Sequence, residues 1–218
     1  MNTILLIIIA VTAIVSYTGF QKPEFFEKYK FNVGAIQQNK EYIRLISAGF
    51  LHADLMHFIF NMLTLYFFGP IVIQTFGGFG FMFIYLGSII LGNLFSLFIY
   101  KNQYWYSAIG ASGGVSGVLF AAIAVYPMMG IAFMFIPIPI PGYLFGLLYF
   151  GYSAYSMLNP RQNDYIGHAA HLGGAVLGLL YAVAVAPQAA ISNAPYLGIM
   201  SLPLLYLGYQ ILVKKRIG

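Results

Sequence analysis

The 218-residue chain contains no cysteine, which excludes disulfide bridges and thiolate metal sites. Charge is almost as scarce: Asp, Glu, Lys and Arg make up 7% of the residues, against about 25% in an ordinary soluble domain. A surface so poor in charge cannot face water on all sides. The few charges are also clustered. None occurs from Leu55 to Tyr100, from Asn102 to Pro160, or from Tyr165 to Val213. Each block is far longer than the roughly 20 apolar residues that one membrane helix needs, so each predicts a helix pair. The net charge of +5 is basic, but ten Lys and Arg residues scattered over loops make no nucleic-acid footprint and fit a juxtamembrane role.

What is present is apolar residue in helix-length runs, 61% of the chain. Ile4 to Val15 is apolar, with no Lys or Arg before it and no small-residue cleavage pattern before Lys22, which reads as a first membrane helix rather than a signal peptide. Helices are predicted over about 3–20, 55–76, 79–100, 110–129, 142–158 and 167–186. A further one over 196–213 is weakened by Pro203 and ends at Lys214-Lys215-Arg216. Gly77-Gly78 supplies the turn between the second and third. The long connection from Gln21 to Asp54 mixes charge with Phe25, Phe26, Tyr29, Phe31 and Tyr42, a composition suited to the membrane surface. The alternating prolines of Phe135 to Pro141 remove backbone donors and predict a turn at the interface. No internal repeat is visible. The expectation is an all-α, polytopic bundle in one domain spanning 1–218, six core helices plus a C-terminal seventh.

Three of these helices carry polar groups below their first charges. The fourth opens Gly110-Ala-Ser-Gly-Gly-Val-Ser-Gly117, with Ser112 and Ser116 one turn apart. Gly110 with Gly114, and Gly113 with Gly117, are small-xxx-small pairs that let a neighbouring helix approach closely. Taken alone, the segment is a packing seam. The sixth helix carries His171, Gly174 and Gly178 on one face, and a histidine above such a pair stands where a neighbour comes near. If that neighbour is the fourth helix, an imidazole meets a serine hydroxyl, which needs an adjacent base to act as nucleophile. The second helix places His57 and Asn61 on one face, two groups able to donate to a developing oxyanion or simply to bond between helices. His168 and His171 are close in sequence, but no Asp or Glu accompanies them in their helix, so no metal site is expected.

Together these segments resemble the rhomboid family of intramembrane serine proteases over nearly the whole chain. The matching stretches are His52-x4-His57-x3-Asn61, Gly110-Ala-Ser112-Gly113 with Gly117, and Ala170-His171-Leu-Gly-Gly174 with Gly178. The resemblance implies a catalytic dyad of Ser112 and His171 without an acid, and no cofactor. Its oxyanion positions fall on Asn61, His57, the loop at Gly110 and the Ser112 N–H. It also implies transmembrane proteins as substrates and the bilayer as environment; the oligomeric state is left open.

Departures are visible too. Gly114-Val-Ser116-Gly117 repeats the serine motif, yet Ser112 lies nearer the polar loop and matches the family's serine. Where many relatives carry an aromatic residue under the histidine, this chain has Ser116, so that contact must come from elsewhere. The family's Trp-Arg in the first loop becomes Tyr42-Ile43-Arg44. His168, one turn above His171, reads as a residue that meets water. The family implies an active site opening to the extracytoplasmic side, taken here as that of a bacterial cell membrane. With seven helices, the positive-inside tendency argues for the opposite orientation. The alternatives are an inactive rhomboid-like factor that binds membrane proteins, and a transporter, which would show repeated halves.

Overall fold

The computed structural model describes residues 2–133, 136–161, 164 and 166–217. The first helix, α1 (Thr3–Gln21), is started by the Asn2 side chain, which accepts from the Ile4 N–H at 2.9 Å. The connection that follows is folded rather than irregular. It holds α2 (Pro23–Tyr29), strand β1 (Phe31–Asn32), α3 (Val33–Asn39), α4 (Arg44–Ser47) and a 3-10 turn (Ala48–Phe50). Arg44 ties it together: its guanidinium donates to Glu41 at 2.6 Å and to the carbonyls of Glu27 and Lys30, both at 2.8 Å. That bond holds the Glu41 carboxyl below its ordinary value.

Asp54 caps α5 (Leu55–Ile99) by accepting from the His57 N–H at 2.8 Å. α5 is a hairpin of two limbs, because Gly77 sits at φ 74°, ψ 172°. Twelve residues would span about 18 Å in a straight helix. Yet a methyl group on Gly69 would lie 3.5 Å from the Phe81 ring. The predicted Gly77 turn is therefore where the chain reverses.

β2 (Ser107–Ala108) pairs antiparallel with β1 and anchors the loop ahead of α6 (Ser112–Val125). α6 begins later than the predicted 110–129 because Gly110 takes φ 119° and cannot continue into a helix, and it ends earlier because Tyr126, the residue before Pro127, is already non-helical. At 14 residues it is about 21 Å long, short of a roughly 30 Å hydrocarbon core. Gly113 to Ala124 are buried without exception. α6 is thus the central rod, and its neighbours meet the lipid.

The proline-rich stretch is not the turn predicted from its sequence. β3 (Gly130–Phe133) and β4 (Ile136–Pro141) form an antiparallel pair, with Ile131 opposite Ile140. Prolines at alternate positions lose donors along one edge of a strand only, leaving the other edge free to pair. α7 (Gly142–Leu158) follows as predicted, then α8 (His168–Val185), α9 (Pro187–Ser192) and α10 (Ala194–Leu212), which keeps Pro203 inside it. By length and apolarity α1, α5 and α8 qualify as membrane spans, and the chain is a multi-pass membrane protein. The predicted loop residues 162, 163 and 165 lie outside the described residues.

α6 is wedged between the second limb of α5 and α8. Methyl groups on Gly174 and Gly178 would strike the carbonyls of Gly113 and Gly117. One on Gly117 would strike the Ser88 hydroxyl, which donates to the Gly174 carbonyl at 3.0 Å. The glycine faces read from the sequence are therefore one seam. They let three helices pack with backbones in contact, where dispersion replaces the hydrophobic drive that lipid cannot supply.

Candidate active site

The seam fixes where two side chains meet. Ser112 is the first residue of α6, and His171 lies in the first turn of α8. With Gly113 and Gly174 in contact just below them, Ser112 Oγ and His171 Nε2 come to 2.6 Å. A hydroxyl that donates to an imidazole nitrogen at this distance is arranged for proton transfer. As the first helical residue, Ser112 has an N–H with no intrahelical carbonyl to bond, at the positive end of the helix dipole.

A 660 Å³ cavity opens beside the pair, between the first limb of α5 and α7. Asn61, Thr64, Ser112, Ser116, Tyr149 and His171 supply its polar lining, and Phe60, Phe67 and Phe145 are among its apolar walls. Asn61 is buried, and its amide donates to the His57 carbonyl at 2.9 Å. That bond uses one of its two N–H groups.

His57 stands one layer behind, outside this cavity's lining. A methyl group on Gly110 would fall 2.7 Å from His57 Cε1 and 2.8 Å from Nε2, so the positive φ and the ring together require glycine there. The structure thus brings Ser112, His171 and Asn61 to one cavity, puts Gly110 and His57 behind them, and sets Gly113, Gly117, Gly174 and Gly178 in the seam below.

The two serines are separated by their partners. Ser116 hydrogen-bonds the Tyr149 hydroxyl at 2.8 Å, and the Tyr149 ring stacks 6.2 Å from the His171 ring at 22°. The aromatic support missing from position 116 therefore comes from α7. A hydroxyl midway along an apolar helix was the sequence signal for it, since polar groups at that depth need partners.

His168 is not a residue that meets water. It is 5% exposed, with Nε2 3.1 Å from Asp164 Oδ2. Partial burial opposes ionisation of Asp164, but the Ile166 N–H and the His168 ring hold its carboxyl below the ordinary value. Its carboxylate thus serves His168, and among the described residues no carboxylate pairs with His171.

His52 opens the His52-x4-His57-x3-Asn61 stretch. It is fully buried in the loop before α5, with Nδ1 2.8 Å from Ser16 Oγ. Its Nε2 accepts the Ala111 N–H at 3.4 Å. The Ser16 hydroxyl then donates to the Phe50 carbonyl at 2.9 Å. This chain of bonds needs a neutral ring, and burial first, then the nearby His57, pushes its pKa down to about 3. It ties α1 to the residue preceding Ser112. No group of metal-binding residues occurs among the described ones.

Comparison with known proteins bears on this arrangement. A family model of the rhomboid domain matches residues 39–188. The mitochondrial rhomboid protein 1 of Saccharomyces cerevisiae is 33% identical over 144 residues, 64% of this chain and 40% of that protein. The mitochondrial RHOMBOID-like protein 12 of Arabidopsis thaliana is 29% identical over 151 residues, 62% of this chain and 44% of that protein. The inactive RHOMBOID-like protein 8 of Arabidopsis thaliana is 32% identical over 90 residues, 41% of this chain and 26% of that protein. The chain matches less than half the length of each of these relatives. The matched region runs from α3 to α9 and takes in both helices that carry the Ser112–His171 pair, so the chain belongs to the rhomboid family.

Proposed function

We propose that the chain is an intramembrane serine endopeptidase that hydrolyses peptide bonds in or near the transmembrane segments of other membrane proteins. The observation that carries this reading is the 2.6 Å contact between Ser112 Oγ and His171 Nε2 on the wall of a 660 Å³ cavity. Ser112 attacks the scissile carbonyl as His171 takes its proton. The tetrahedral oxyanion is held by the Ser112 N–H and the free N–H of the Asn61 amide, with His57 and Gly110 framing the loop that presents them. His171 then protonates the leaving amine, and water hydrolyses the acyl-enzyme. The cavity's apolar walls suit side chains of an unwound membrane segment.

One rhomboid domain over 1–218, opening its dyad to the extracytoplasmic side, completes the proposal. The relatives do not decide between a bacterial cell membrane and another membrane, since two are named as mitochondrial and one is from Bacillus subtilis.

The test is cleavage of a tagged model membrane helix by purified protein in liposomes. Wild-type protein cleaves, Ser112→Ala does not, and Ser116→Ala retains activity. Loss in Ser116→Ala alone would move the nucleophile by one turn. A wild-type protein that binds the helix without cutting it would favour the inactive, binding reading.

A further inference from the structure

A second concavity lies on the lipid-facing side, away from the dyad. Its volume is 330 Å³, and it runs between the second limb of α5, α8 and α10. Leu91, Phe95 and Phe98 form one wall, and Leu204, Leu207 and Ile211 form the facing one. Every lining residue is apolar or glycine. Phe98 lies seven residues beyond Leu91, so the groove runs about 10 Å along the helix axis.

One end of this groove is strongly basic. Lys101 stands just past Phe98, with its ammonium 5.1 Å from the centre of that ring. Lys214, Lys215 and Arg216 follow Leu212, another lining residue. They are held in place. Lys215 adopts φ 50°, and the Lys214 and Arg216 N–H groups return to the carbonyls of Tyr209 and Gln210 at 3.1 and 3.0 Å. This left-handed closure fixes the tail at the helix end. An Arg216 guanidinium nitrogen comes 3.5 Å from Asn159 Oδ1, beside the end of α7. All four cations are exposed, and none takes part in the ion pairs found among the described residues.

We propose that this groove is a binding site for an anionic phospholipid, one acyl chain lying between α5, α8 and α10 and the phosphate held by Lys101 and the Lys214–Arg216 tail. An apolar slot open to lipid is filled by a chain whatever the headgroup. Four cations at its mouth, none in an ion pair among the described residues, select the headgroup by charge. α10 buries few residues, namely Met200, Leu207 and Ile211, so a lipid in the slot extends its packing against the core. The proposal stands apart from proteolysis.

The test is native mass spectrometry of the full chain, offered phosphatidylglycerol or phosphatidylcholine of identical acyl chains. Phosphatidylglycerol should be retained preferentially, and excess inorganic phosphate should not displace it. Each Lys or Arg changed to Gln among Lys101, Lys214, Lys215 and Arg216 should weaken retention about fivefold. A methyl on Gly208 meets nothing within 4 Å, so Gly208→Phe can fill the slot without disturbing the helices. It should abolish retention at an unchanged melting temperature. Equal retention of both lipids by the wild type, undiminished retention by Gly208→Phe, or a dimer that covers the groove would overturn the proposal.

Discussion

The seam between α6 and α8 sets the separation of the dyad, and Gly174→Ala perturbs it with a single methyl group. Gly174 lies one turn from His171, and Gly113 adjoins Ser112. The added carbon would strike the Gly113 carbonyl, 2.7 Å from its carbon and 3.1 Å from Gly113 Cα. Neither neighbour is a flexible side chain that can swing away. Bringing the carbonyl carbon alone out to the 3.4 Å of ordinary contact requires a backbone separation of about 0.7 Å, and the carbonyl oxygen, which is nearer, requires more. Carried to the dyad, even the smaller shift stretches the 2.6 Å hydrogen bond to about 3.3 Å, beyond the usual range for a hydroxyl donor. Overpacking of this kind costs about 1–3 kcal/mol of stability, and a misplacement near 1 Å at a reacting centre costs about 10²-fold in rate. The assay is cleavage of the tagged helix in liposomes, with melting temperature and fluorophosphonate labelling of Ser112 measured on the same preparation. Melting temperature and cleavage should fall together. A Gly174→Ala protein that melts and cleaves like the wild type would refute the claim that this seam sets the dyad distance. Gly178→Leu, one turn deeper, should behave in the same way and more severely.

Asn61→Ala should slow cleavage by about 10² to 10³ while Ser112 still reacts with a fluorophosphonate; His171→Ala should lose both, and wild-type cleavage by Asn61→Ala would make that residue structural. Tyr149→Phe keeps the ring beside His171 and removes the bond to Ser116, so it should cost less than tenfold in turnover. Tyr149→Ala leaves the imidazole unsupported and should cost far more, and equal losses in the two would refute the stacking role. His52 is held neutral with a pKa of about 3, against an ordinary 6.5. Stability should therefore be complete above pH 6.5. It should fall with pH by up to about 1.4 kcal/mol per unit toward pH 3, because only the unfolded chain takes up the proton there. Melting curves in detergent from pH 7 to pH 4 should show this slope, and His52→Gln should flatten it; parallel slopes would count against the buried neutral ring.

The sequence by itself determined the membrane class, most helix limits, the Gly77 reversal and which two side chains, Ser112 and His171, are proposed as the dyad. These features are local or compositional. Charge-free blocks mark spans because ionised groups are costly in hydrocarbon, and glycines spaced four apart mark contact faces because they fall on one side of a helix. Ser112 and His171 could be paired on paper because each sits at the top of such a face. What the sequence left open depended on which elements become neighbours. Ser116 and Ser112 carry equivalent motifs, and only the placement of Tyr149 on α7 gives each its own partner. His168 looked like a residue at the water's edge until the chain before α8 folded Asp164 onto it. The proline run lacked a partner in sequence, and β3 supplied one. α6 starts later than its small-residue run because Gly110 turns out of the helix to pass the His57 ring. In each case the deciding energy is a contact between residues distant along the chain, and such a contact exists only once the helices have packed.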